Sequence, residues 1–85
     1  MNEKGKLSDR LKAARLFRHI SQQALAQSIG VSRGVIANIE YDVIRNPQEL
    51  ILRSIAHSLN ISETWLVTGG VLWYGKFQKV QVKIC

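Results

Sequence analysis

Between Ser21 and Glu40 the chain reads SQQALAQSIGVSRGVIANIE, and this span limits the possible folds more than any other. Ser21 is a natural helix cap, because its hydroxyl can accept from a backbone N–H left free in the first turn. Leu25, Ala26 and Ile29 then fall on one face at helical spacing. Gly30 follows at once, and a glycine just past a helix end supplies the left-handed backbone that closes it. Ser32 caps another helix, whose inward positions are Val35 or Ile36, and Ile39. Two short helices joined by a tight turn are therefore expected.

The rest of the chain extends this pattern. Residues 1–7 read as a basic N-terminal arm carrying Lys4 and Lys6. A first helix is expected from Ser8 or Asp9 to His19, capped by Ser8, with Leu7, Leu11 and Ala14 on its apolar side. Asn46-Pro47-Gln48-Glu49 has the signature of a further helix start: asparagine as cap, proline in the first helical position, glutamate in the first turn. Leu52, Ile55, Ala56 and Leu59 form its stripe. Ser62-Glu63-Thr64-Trp65-Leu66 begins a fifth short helix that Gly69-Gly70 ends. Residues 71–85, VLWYGKFQKVQVKIC, change character. Val80, Val82 and Ile84 alternate with Lys79, Gln81 and Lys83, which is strand spacing. This predicts an all-α, five-helix domain over residues 8–70, followed by a C-terminal extended or β segment, 71–85, able to act as a dimerisation strand. We find no internal repeat or low-complexity segment.

Size and charge narrow the function. The 85 residues suffice for one domain with a modest core. Twelve Lys+Arg against six Asp+Glu give a formal net charge of +6, so polyanions such as nucleic acid are attractive partners. No apolar run approaches the ~20 residues of a membrane span, the N-terminus lacks the apolar stretch of a secretory signal, and the single cysteine, Cys85, can form no internal disulfide. These features suit a cytoplasmic protein with no membrane partner.

The span 21–40 resembles the DNA-binding motif of the Cro and phage-repressor type, the Xre family. That pattern is roughly Gln-x-x-Leu-Ala-x-x-x-Gly-Val-Ser-x-x-x-Ile-x-x-x-Glu. Here Gln22, Leu25, Ala26, Gly30, Val31, Ser32, Ile36 and Glu40 supply it in register. The likeness extends to Arg10-Leu11-Lys12-Ala13-Ala14-Arg15 in the first helix and to Ser62 through Gly69, and covers about residues 9–69. It implies a repressor-like five-helix domain with a helix-turn-helix at 21–40. It also implies a partly buried structural salt bridge between Arg15 and Glu40, although Arg15 could instead reach a phosphate.

In helix-turn-helix proteins the start of the second motif helix meets base edges. Arg33, Gly34, Val35, Ala37 and Asn38 are the base-reading candidates. Arg33 suits the O6 and N7 acceptors of guanine, and Asn38 the N6 and N7 edge of adenine. Val35 or Ala37 could touch a thymine methyl, and Gly34 would allow close approach. Ser21, Gln22 and Ser32 at helix starts, with Arg45 and Asn46 in the following loop, are candidate phosphate contacts. The resemblance further implies that Gln22 braces the first reading residue, Arg33. Candidates for a dimer interface are Trp65, Leu66, Val71, Leu72, Trp73, Phe77, Val80, Val82 and Ile84.

The chain also departs from the family pattern. Asp42, Val43 and Ile44 stand where the family loop carries Gly and Lys, and the loop is one residue longer before Pro47. Val43 and Ile44 could pack on a partner subunit, or Ile44 could enter the core. Leu50 could take the apolar place that Glu49 leaves empty. His19 replaces a common glycine, and Leu16 and Phe17 are apolar where the family is polar.

No catalytic set is found. His19 and His57 lack metal-ligand spacing, and there is no glycine-rich phosphate loop. Neither enzyme activity, metal nor cofactor is expected. The leading reading is a sequence-specific regulator of transcription, a phage- or plasmid-type repressor, holding a palindromic double-stranded DNA operator as a homodimer. The alternative is an antitoxin or adaptor that binds a protein partner, such as a toxin or antirepressor, and autoregulates its operon. A third reading makes the chain the DNA-binding half of a longer repressor.

Overall fold

The computed structural model describes residues 5–70. They form α1 (Leu7–Phe17), α2 (Gln22–Ile29), α3 (Arg33–Glu40), α4 (Glu49–Leu59) and α5 (Glu63–Thr68), the expected all-α, five-helix arrangement. The extension expected at 71–85, with the interface candidates Val71, Leu72, Trp73, Phe77, Val80, Val82 and Ile84, lies outside the described residues.

The helices close into a ring of packing partners. α1 packs on α3, α3 on α2, α2 on α4, α4 on α5, and α5 returns to α1. One core fills the ring, built from Leu11, Leu25, Ile36, Ile39, Ile55, Leu59 and Leu66, all essentially inaccessible to solvent. Each such side chain contributes roughly 1.5–3 kcal/mol on burial. Ala26 is wholly buried where α2 meets its neighbours, so a larger residue there would overpack the core at about 1–3 kcal/mol.

Helix ends follow local chemistry in some places and tertiary packing in others. Ser21 Oγ accepts from the Ala24 N–H and Ser62 Oγ from the Trp65 N–H, each at 3.0 Å, so both serines cap as expected. Gly30 closes α2 in the left-handed region at φ +81°. Two other starts differ from expectation. α1 begins at Leu7 behind Lys6, and Ser8 forms no cap, because it is buried inside the first turn. The arm therefore gives way to helix at Leu7. The helix also stops at Phe17, and His19 lies beyond it. α4 begins at Glu49 behind an extended Gln48, so Asn46 and Pro47 belong to the preceding loop. Leu50 does not replace Glu49 in the core; it is 68% exposed, and Ile51 packs inward instead.

Trp65 and Leu66 correct another expectation. Proposed for a subunit interface, they are 4% and 0% exposed within the single chain. A six-residue helix contributing to a small core turns its two largest apolar groups inward, where they complete the packing of α4 and α5. Ile44 is half-buried against the core, whereas Val43 is exposed.

Left-handed backbone also falls at His19 (φ +58°) and Asp42 (φ +65°). These are the two sites where glycine is usual in the family. Histidine and aspartate are among the residues that tolerate this region best, yet a β-carbon there is still costly. His19→Gly is expected to stabilise the fold by about 0.5–1 kcal/mol, the strain relieved less the extra freedom of the unfolded glycine chain. Urea unfolding followed by circular dichroism measures it; a loss of stability would show that the imidazole makes a compensating contact.

Three arginines of α1 tie the ring together. Arg10 donates from Nε to the Leu66 carbonyl at 2.8 Å, from one terminal nitrogen to Val67 at 2.8 Å, and from the other to Gly5 at 3.0 Å. Arg18 donates to the carbonyls of Leu59 at 2.9 Å and Asn60 at 3.0 Å. These carbonyls lie at the C-terminal ends of α5 and α4, which lack intrahelical donors and carry the negative end of the helix dipole. Burial lowers the Arg10 pKa from the ordinary arginine value, and neighbouring Asp9 opposes the shift. Part of the basic charge thus serves the fold.

Candidate nucleic-acid interface

α2 and α3 meet through the turn Gly30-Val31-Ser32. Val31 N–H donates to the Ala26 carbonyl at 3.0 Å, and Val31 itself packs against the core between the two helices. Ile36 and Ile39 anchor the inner face of α3. Its outer face carries Arg33, Gly34 and Asn38 exposed, with Val35 half-buried beside them. Ala37 does not join that row. It is 7% exposed, because the position one turn after Arg33 and one turn before Glu40 faces the neighbouring helices. Base contact by its methyl is therefore withdrawn.

The inner end of α3 holds a buried ion pair. Arg15 Nε donates to Glu40 Oε2 at 2.6 Å and a terminal nitrogen donates to Oε1 at 3.1 Å, while the other terminal nitrogen donates to the Ile20 carbonyl at 2.8 Å. The fork geometry is the strong form of such a pair. With Arg15 and Glu40 side chains only 10% and 2% exposed, Arg15 does not reach outward to a phosphate.

Gln22, the first residue of α2, continues the pair toward the surface. Its Nε2 donates to Glu40 Oε1 at 3.1 Å, and its Oε1 accepts from a terminal nitrogen of Arg33 at 3.1 Å. Arg33 is thus exposed yet held at one edge of its guanidinium. Sequence reasoning named Gln22 and Arg33 together; the bond from Gln22 to Glu40 it missed, since the two lie 18 residues apart.

The remaining polar candidates frame this row. Ser21 uses its hydroxyl for the α2 cap, whereas Ser32, before α3, makes no side-chain cap bond. Arg45 and Asn46 are exposed in the loop after α3. Asp42 lies beside them, 3.4 Å from both Arg45 Nε and Lys6 Nζ. The acid partly neutralises the loop and joins it to the start of α1, a feature the loop sequence did not reveal.

Gly34 has no internal reason to be glycine. A β-carbon added there would meet only Ser32 Oγ, at an ordinary 3.7 Å. Among the described residues no group of three or more His, Cys, Asp or Glu side chains could hold a metal ion, and no helix is long and apolar enough to cross a membrane.

These features agree with known proteins. The crystal structure of the P22 c2 repressor in complex with synthetic operator 9T superposes with a TM-score of 0.72 at 28% identity, covering 76% of this chain and 97% of that one. The solution structure of the P22 c2 DNA-binding domain gives 0.72 at 29% identity, over 81% and 88%. SinR of Bacillus subtilis, crystallised in complex with DNA, gives 0.68 at 27% identity, over 71% and 95%. No curated protein sequence matches the chain. The family described as helix-turn-helix domain matches residues 9–70, an interval that contains the α2–turn–α3 unit, the Arg15–Glu40 pair and the inward-facing Trp65 and Leu66. The chain accordingly belongs to the helix-turn-helix domain family, with the fold of the phage repressors.

Proposed function

We propose that the chain is a sequence-specific regulator of transcription, of repressor type, that lays α3 in the major groove of double-stranded DNA. The observation that carries this reading is the outer row of α3. It is exposed, polar and set on a rigid frame, with Arg33 already oriented by Gln22. The likeness to the P22 c2 repressor and SinR, both seen with DNA, supports it. Arg33 and Asn38 read base edges, Val35 touches a thymine methyl, and Gly34 admits the helix deep into the groove. Ser21, Gln22, Ser32, Arg45 and Asn46 contact phosphates and set the register. Two copies bind a palindromic operator, their α3 helices about one DNA turn, ~34 Å, apart. Selection of bound duplexes from random DNA tests the reading directly; enrichment of no shared sequence would refute it.

Two substitutions refine it. Arg33→Ala is expected to cost ~1–3 kcal/mol of discrimination at one base position of the selected site. Unaltered base preference in a binding titration would remove Arg33 from the reading set. Gly34→Ala should raise helix stability by up to about 1 kcal/mol, since the added methyl fits, yet weaken operator binding. A variant both more stable and equally tight would mean that the groove does not approach Gly34.

A protein-binding role as antitoxin or adaptor is favoured by one observation, the exposure of Leu16, Phe17, Tyr41 and Val43. Such a complex would survive salt that dissociates DNA.

A further inference from the structure

Three side chains lead inward from Arg33: Gln22, Glu40 and Arg15. The chemistry of the two ends settles the direction of the middle. A guanidinium only donates, so the atom of Gln22 facing Arg33 must be its carbonyl oxygen. An ionised carboxylate only accepts, so the atom facing Glu40 must be the amide nitrogen. Arg15 holds the Glu40 carboxylate in place with two bonds, at 2.6 and 3.1 Å. Glu40 Oε1 takes one bond from Arg15 and one from Gln22, each at 3.1 Å. The amide therefore cannot turn over without presenting an oxygen to the carboxylate and an N–H to the guanidinium, two repulsive contacts at once.

We infer that Glu40, acting through Gln22, is a positioning residue for base selection: it fixes an acceptor toward residue 33 and so holds the Arg33 guanidinium in the orientation that reads the base. This rests on the proposed reading of DNA by Arg33. The buried ion pair then does more than stabilise the fold. Its carboxylate sets which hydrogen-bonding group the surface offers to the reading position. It favours a donor side chain there and disfavours a second acceptor such as glutamate. The pairing with Gln22 also removes rotamer freedom from Arg33 before DNA arrives, which lowers the ordering cost of the contact.

The test compares base discrimination, the ratio of affinities for the preferred and the three other bases at the Arg33 position, on a duplex selected from random DNA. Gln22→Met keeps the length of the side chain and leaves Arg15–Glu40 intact. It should lower that ratio about tenfold, with an unchanged thermal midpoint. In an Arg33→Ala background the same change should leave the ratio as it is, because the amide then has nothing to position. Glu40→Gln, if folded by circular dichroism, should lower the ratio partway, since a neutral amide no longer dictates the orientation of Gln22; should it fail to fold, the Gln22→Met pair of measurements decides. A ratio unchanged by Gln22→Met, or lowered equally with and without Arg33, overturns the inference. If Arg33→Ala alone leaves discrimination intact, it is the reading by Arg33 that fails. If Arg33→Ala abolishes discrimination and Gln22→Met does not touch it, the reading stands and the positioning role falls.

Discussion

Glu40→Ala is expected to remove ~3–5 kcal/mol of stability, the cost of leaving a buried charge without its partner. The carboxylate accepts from Arg15 twice and from Gln22 once, and its side chain is 2% exposed. Its loss leaves the Arg15 guanidinium with the Ile20 carbonyl alone. A small domain has only about 5–15 kcal/mol in total, so a large share is at risk from this one change. Replacing both partners with apolar residues, Arg15→Met with Glu40→Leu, should cost far less than either single change, because no charge is then stranded. Urea unfolding of the two single variants and the double variant measures this. A loss under about 1 kcal/mol for Glu40→Ala would show that water reaches Arg15 and solvates it.

Operator affinity is expected to fall about a thousandfold between 50 and 200 mM salt. Each phosphate neutralised contributes about −0.9 to the slope of log affinity against log salt. Lys6, Arg33 and Arg45 are exposed cations beside the proposed interface. Three per protomer and two protomers give a slope of roughly −5. A fluorescence titration at several salt concentrations checks both size and sign. Asp42 sharpens the expectation, since it holds Lys6 and Arg45 at 3.4 Å and must yield them to phosphates. Asp42→Asn should therefore strengthen binding at every salt concentration. A slope near zero would exclude a phosphate-dominated interface.

Most of the frame was legible because its signals are local. Ser21, Gly30 and Ser62 act on residues within one turn of themselves, and the stripes of α2 and α4 are periodic. Errors arose where distant packing overrode a local preference. Ser8 could have capped α1, but burial took it into the helix. Asn46-Pro47 could have opened α4, but the loop continues to Gln48. Trp65 and Leu66 had the look of an interface because their burial partners come from other helices, invisible to spacing along α5. The same reason hid the bonds of Arg10 and Arg18, whose acceptors lie 41 to 57 residues away. At the site, the exposed row of α3 followed from helical spacing, but Ala37 was misplaced, since a small residue on the boundary carries no sign of the side it faces.

The arginines of α1 have a consequence for how the molecule opens. Each reaches a different partner: Arg10 the end of α5, Arg18 the end of α4, and Arg15 the last residue of α3. A helix held only by its apolar stripe can fray by itself, in a local opening below the global free energy. α4 and α5 have no such independence, because their final carbonyls would be left without donors unless α1 moved with them. Amide hydrogen exchange in these helices should therefore proceed through one shared opening, and the DNA-facing helices would sit on a scaffold that melts as a single cooperative unit.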